Sequence, residues 1–93
     1  MKHIYILHSL KKIGVLYIGV TSNCYRRVKE HNEGLSAHTR RFCPWQLVYV
    51  ENYERDVDAF RRERQLKGWT KAKKYALVKG NLERLKNLSR RRG

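Results

Sequence analysis

The stretch FRRERQLKGW, residues 60–69, holds one acid, Glu63, among four cations, Arg61, Arg62, Arg64 and Lys67. A lone carboxylate in such company has two readings. It can form a helix-surface ion pair with Lys67 at i,i+4, worth about 0.2–0.5 kcal/mol. It can also be a hard oxygen ligand, because magnesium takes one or two carboxylates and fills its shell with water and phosphate. Arg27 and His31 stand four residues apart and so share one side of a helix. A planar guanidinium suits a phosphate, and an imidazole can relay a proton. Tyr5 and Tyr17 lie in two short runs of β-formers, where each is by default a packing residue with its hydroxyl at the rim. Cys24, His31, His38 and Cys43 are zinc-type donors, but they lack a close C-x-x-C or H-x-x-x-H pair, which argues against a zinc site.

These groups need elements to hold them. Residues 3–9, 14–21 and 45–53 read as strands, the first two joined in a hairpin through Lys11, Lys12 and Gly14. Alternation along a strand puts Ile4 and Ile6 on one face with Leu16, Ile18 and Val20, and leaves Tyr5 and Tyr17 for the other. Ser22 or Asn23 caps a helix that runs to about Glu33 and stops at Gly34. A second helix is expected from about Arg55 to Lys67, with Val57, Phe60 and Leu66 facing inward. A third is expected over 70–79, capped by Thr70, with Ala72, Tyr75, Ala76 and Val78 as its apolar positions. A last short helix over 81–89 carries Leu82, Leu85 and Leu88. Trp45 and Trp69 read as packing residues at element edges, with base stacking as the alternative. The expected fold is α/β of the α+β type: a three-stranded antiparallel sheet flanked by helices, one domain over 1–89 and a basic tail over 90–93.

The chain has 93 residues, with 22 Lys+Arg against 8 Asp+Glu, a formal net charge of +14. A hydrophobic content of 41% supports one small core. Residues 61–93 hold 13 of the cations and only two acids, Glu63 and Glu83. That imbalance exceeds what alternating ion pairs need, so it points to a polyanion, nucleic acid first. Arg26, Arg61, Arg62, Lys67, Lys71, Lys73 and Lys74 are the expected phosphate contacts. No apolar run approaches the ~20 residues of a membrane span, and the N-terminus lacks the pattern of a signal peptide. A cytoplasmic, nucleoid-associated protein with reduced cysteines is expected.

Taken together, IY at 4–5, LYIGVT at 16–21, RRVKEH at 26–31 and ERQLKGWTKAKK at 63–74 resemble the GIY-YIG nuclease family, in particular its small stand-alone bacterial members. Eleven residues separate Tyr5 from Tyr17, and Arg27 and His31 follow Tyr17 by ten and fourteen. His3 stands where the family name has its first glycine, a position that carries no reacting group. The resemblance spans roughly residues 3 to 85 and implies a metal-dependent DNA endonuclease using Mg2+ or Mn2+. It implies Tyr5, Tyr17, Arg27, His31 and Glu63 as catalytic residues, with Glu63 holding the metal. Asn81 matches a late asparagine of many members, and reads equally well as a helix N-cap before Leu82.

Hydrolysis of a phosphodiester needs an activated water, a clamp on phosphate charge and help for the leaving oxygen. Tyr5 and Tyr17 would orient the water or take its proton, with Tyr5 favoured as the base. A tyrosine pKa near ~10 is high for that task, and the expectation is that Arg27, a metal and the positive field lower it. Arg27 would hold the phosphate. Lacking a separate specificity domain, the protein is expected to prefer nicked, flapped or branched DNA, or to select weakly, in repair or recombination. RNA stays open as a target, and no obligate protein partner or membrane is implied. The alternative is a non-catalytic nucleic-acid-binding module that keeps the fold.

Overall fold

The computed structural model describes residues 1–80; Asn81, the helix expected over 81–89 and the tail over 90–93 lie outside the described residues. The element order is β1 (Lys2–Ser9), β2 (Leu16–Thr21), α1 (Cys24–Asn32), a 3-10 turn (Arg40–Phe42), β3 (Trp45–Tyr53), α2 (Asp56–Lys67) and α3 (Lys71–Val78). The three strands form an antiparallel sheet in the order β2-β1-β3. β1 is therefore central, and Ile4, Tyr5, Ile6 and Leu7 are all buried. A strand buried on both faces reads as a continuous apolar run, which suits YIL followed by a half-buried histidine.

Alternation splits the core in two. On one face Ile4, Ile6 and Ile18 pack with Leu66 of α2 and Leu77 of α3. On the other, Tyr5, Leu7 and Trp45 pack with Tyr17, Val28 and Cys24. The faces expected from the period of two are thus the faces observed. Burying the four apolar β1 side chains stabilises the fold by roughly 1.5–3 kcal/mol each.

The helix boundaries follow local chemistry. Asn23 caps α1, its side chain accepting from the Arg26 backbone N–H at 3.0 Å. Thr21 Oγ1 accepts from Asn23 N–H at 3.1 Å, which ties that cap to the end of β2. Gly34, with φ at +78°, follows α1 and stops it. Thr70 caps α3, accepting from Lys73 N–H at 3.2 Å.

Three details differ from the sequence expectation. β2 starts at Leu16, not residue 14, because Ser9 Oγ accepts the N–H groups of Lys11 and Lys12 and draws residues 10–15 into a wider turn. Val57 and Phe60 do not face inward: they are 51% and 50% exposed, and the inner face of α2 is Ala59 and Leu66. In α3, Lys73, Ala76 and Leu77 are buried while Ala72 is exposed. The phase of α2 is set by Arg62. Its guanidinium grips the Glu51 carboxylate of β3 with Nε at 3.0 Å and Nη2 at 3.0 Å. Tyr53 donates to the same carboxylate at 2.7 Å, as does Tyr49. Burial pushes the Glu51 carboxyl up, but Arg62 and the two tyrosine hydroxyls outweigh it and hold it below the usual range. An arginine so compensated can sit half-buried, and it turns Phe60 outward.

Candidate active site

The tyrosine face of the sheet gathers four of the residues singled out by type and spacing. Antiparallel register puts Tyr5 opposite Gly19 and Tyr17 opposite Leu7. The two tyrosines are then diagonal neighbours, within reach of aromatic side chains, with ring centroids 6.2 Å apart. α1 crosses this face and lowers His31 between them. His31 is fully buried, its ring 5.8 Å from Tyr5 and 5.0 Å from Tyr17.

Gly19 makes this cluster possible. A Cβ there would lie 2.5 Å from Cζ and 2.8 Å from Cε1 of Tyr5. Ordinary carbon contacts are ~3.5–4.0 Å, so the Tyr5 ring occupies the space a side chain would need. Close approach of a side chain to the backbone is the reason for glycine in mid-strand.

Tyr5 Oη lies 2.9 Å from His31 Nε2, and His31 Nδ1 lies 2.6 Å from Thr39 Oγ1. Both ring nitrogens are therefore engaged. Thr39 itself is buried and fixed, its carbonyl accepting from the Trp45 indole N–H at 2.9 Å. Asn32 closes the same corner through Trp45, donating to its carbonyl at 3.0 Å and accepting from its N–H at 2.5 Å. Sequence reasoning missed Thr39, Gly19 and Asn32. Glycine in mid-strand opposite a tyrosine was a usable sign; nothing in the sequence ties Thr39 to a histidine eight positions earlier.

Burial pushes His31 down to about 4, and the charge of Arg27 adds to the effect. It is neutral at pH 7, so one nitrogen donates and the other accepts. Burial also pushes Tyr5 up to about 12, reinforced by Tyr17; Arg27 pulls the other way and loses. Of the influences expected to lower the Tyr5 pKa, Arg27 by itself does not suffice: in a site this enclosed, desolvation of the phenolate outweighs one guanidinium.

Arg27 is half-buried and held by Glu30, with Nη1 to Oε1 at 2.9 Å. The fifth expected residue, Glu63, comes from a different helix. It is on α2, which packs against the aliphatic face through Leu66, whereas α1 packs on the tyrosine face. Among the described residues its salt-bridge partner is Lys67, at 3.3 Å, and none of its hydrogen bonds reaches the tyrosines. No cluster of three or more His, Cys, Asp or Glu side chains suited to a metal occurs among the described residues. The zinc quartet of Cys24, His31, His38 and Cys43 accordingly does not assemble, since His31 spends both nitrogens on Tyr5 and Thr39. A single half-exposed carboxylate fits a hard ion that takes its remaining ligands from water and phosphate.

The expected phosphate contacts divide in two. Arg61 and Lys71 are exposed, Arg26 lies 3.9 Å from Glu30 with most of its side chain in solvent, and Lys74 is half-buried. Arg62 and Lys73 are not available in this way. Arg62 is bound to Glu51, and Lys73 is buried with its Nζ 4.4 Å from the centre of the Trp69 ring, a cation–π contact. Lys67 is shared with Glu63. No helix of the described residues is long and apolar enough to cross a membrane.

The model of the GIY-YIG catalytic domain, a nuclease fold, matches residues 1–76. A UPF0213 protein of Natronomonas pharaonis is 38% identical over 77 residues, covering 82% of this chain and 88% of the relative. A UPF0213 protein of Staphylococcus aureus is 40% identical over 67 residues, covering 71% of this chain and 82% of the relative. The solution structure of a UPF0213 protein from Bacillus halodurans superposes with a TM-score of 0.54 at 32% identity, over 85% of this chain and 84% of that one. The match over most of the chain, on a sheet whose paired tyrosines, arginine and histidine occupy one face, places this protein in the GIY-YIG family.

Proposed function

We propose that the protein is a divalent-metal-dependent endonuclease that hydrolyses DNA phosphodiester bonds, selecting structure or selecting weakly, in repair or recombination. The observation that carries the reading is the hydrogen-bonded line from Tyr5 Oη through His31 to Thr39, set beside Tyr17 and Arg27. Packing alone gives no reason to bury a neutral histidine between two phenols and a threonine.

The line answers the difficulty of a Tyr5 pKa near 12. With the His31 proton on Nδ1, donated to Thr39, the Tyr5 hydroxyl donates to Nε2. As the Tyr5 oxygen takes a proton from water, its own proton passes to His31, and no free phenolate need accumulate. Arg27 lowers the His31 pKa; a phosphate seated on Arg27 would offset that charge and make His31 a better acceptor when substrate is present. Arg27 would exchange its Glu30 partner for the phosphate, a charge-assisted contact of similar geometry. Tyr17, beside His31, would orient the water. Glu63 would hold a magnesium or manganese ion, which when bound supplies Lewis-acid stabilisation of the leaving oxygen.

The second reading, a binding module without catalysis, draws support from two observations: Tyr5 is only 1% exposed, and the Glu63 carboxylate is paired with Lys67. Incubation with nicked, flapped and branched DNA, with and without Mg2+ or Mn2+, separates the two. Wild type is expected to cut only with metal, and Glu63→Ala to bind without cutting. Equal trace nicking by both would leave the binding module standing.

A further inference from the structure

The outward turn of α2 leaves a surface that the cleavage chemistry does not use. Val57, Phe60, Arg61 and Arg64 line an open hollow of about 210 Å³. Their spacing of three and four residues makes them one stripe of the helix. Phe60 is a half-exposed aromatic ring. Arg61 and Arg64 are exposed and form no salt bridge or hydrogen bond among the described residues. Several other cations of this chain are paired or stacked: Arg27, Arg55, Arg62, Lys67 and Lys73. Of the acids in the first turn of α2, Asp58 is held by Arg55 at 2.9 Å, leaving Asp56.

We propose that this outer face of α2 is a docking platform for an unpaired DNA strand, with Phe60 stacked on a base and Arg61 and Arg64 on the flanking phosphates. An exposed aromatic beside exposed guanidiniums is what single-stranded nucleic acid requires, because every base offers a π-face and every linkage a phosphate. A duplex hides its base faces and cannot use Phe60. A second copy of this chain is disfavoured, since a twofold contact here would set Arg61 and Arg64 against their own equivalents. The position also suits a branched substrate. Phe60 and Glu63 are i,i+3 neighbours on α2, so a strand held at Phe60 passes beside the carboxylate proposed to hold the metal. The inference rests on the nucleic-acid reading above and names the part of the substrate that reading leaves open.

The test is fluorescence anisotropy in EDTA, with labelled oligothymidylate, the matching oligouridylate and a blunt duplex. Phe60→Ala should weaken oligothymidylate binding about tenfold and leave the duplex unchanged. Phe60→Trp should bind as wild type, and Phe60→Leu should be as weak as Phe60→Ala. Arg61→Gln with Arg64→Gln should reduce the slope of log affinity against log salt by about 1.4 on the single strand. Phe60-independent binding, equal losses on single strand and duplex, tighter Phe60-dependent binding of oligouridylate, or Phe60-dependent binding of an acidic Leu/Glu peptide in place of the oligonucleotide would each overturn it. Because no cleavage is read, the outcomes separate: cutting with Phe60-independent binding removes this inference alone, and Phe60-dependent binding without cutting removes the nuclease alone.

Discussion

Replacing Gly19 by alanine puts the packing of the tyrosine face to a sharp test. Gly19 has no left-handed backbone requirement, so on strand propensity alone alanine should stabilise by about 0.5–1 kcal/mol. The structure predicts the opposite sign. The new Cβ falls 2.5 Å from Cζ and 2.8 Å from Cε1 of Tyr5, so the ring must retreat by about 1 Å to restore ordinary contact. Tyr5 is 1% exposed and has no open space to enter. Overpacking of this kind costs about 1–3 kcal/mol. Displacing the hydroxyl from His31 Nε2, now at 2.9 Å, adds about 0.5–1.5 kcal/mol. The combined loss of about 1.5–4.5 kcal/mol lowers the Tm of a domain this size by roughly 6–36 °C. Thermal melts followed by circular dichroism give the first number, and the His31 nitrogen shifts in a 15N spectrum report the hydrogen bond. A Gly19→Ala protein with unchanged or raised Tm and unmoved His31 shifts would refute the reasoning.

Other expectations follow from the same geometry. Glu51→Ala should destabilise by about 2–4 kcal/mol in urea titrations, since it leaves Arg62 half-buried without its carboxylate and two tyrosine hydroxyls without their acceptor. Stability should fall with acid through His31. Its folded pKa, about 4, lies below the unfolded value of 6.5, so its contribution is present above pH 6.5 and is lost as the pH drops to 4. The His31 ring resonances should accordingly stay in their neutral form until about pH 4, and His31→Gln should flatten that part of the stability profile. Glu63→Ala should shift stability by less than about 0.5 kcal/mol, because only a half-exposed i,i+4 pair is lost.

What the sequence reveals depends on the range of the interaction. The alternation of Ile4, Tyr5 and Ile6 assigns the two faces of β1 before any partner is known, and the i,i+4 spacing of Arg27 and His31 needs only the helix. Both are local periods. The phase of α2 is not local: Val57 and Phe60 look like core until Arg62 is seen bound to Glu51 on β3. Arg27 alone falls short of lowering the Tyr5 pKa for a related reason. Nearby charge can be counted in a sequence, whereas desolvation depends on what α1 covers. Lys73 counts as a surface cation in composition, yet its stem is buried and its charge rests on Trp69.

The central claim is that Tyr5 and Tyr17 do chemistry and do not merely pack. Single-turnover cleavage of a flapped duplex in Mn2+ tests it directly, with wild type, Tyr5→Phe and Tyr17→Phe at saturating protein. Each phenylalanine keeps the ring and deletes one hydroxyl. The account predicts metal-dependent cutting by wild type and a loss of about 10²–10⁴-fold for Tyr5→Phe, with Tyr17→Phe badly impaired, while folding and DNA affinity persist. Cleavage by both variants at the wild-type rate would contradict it.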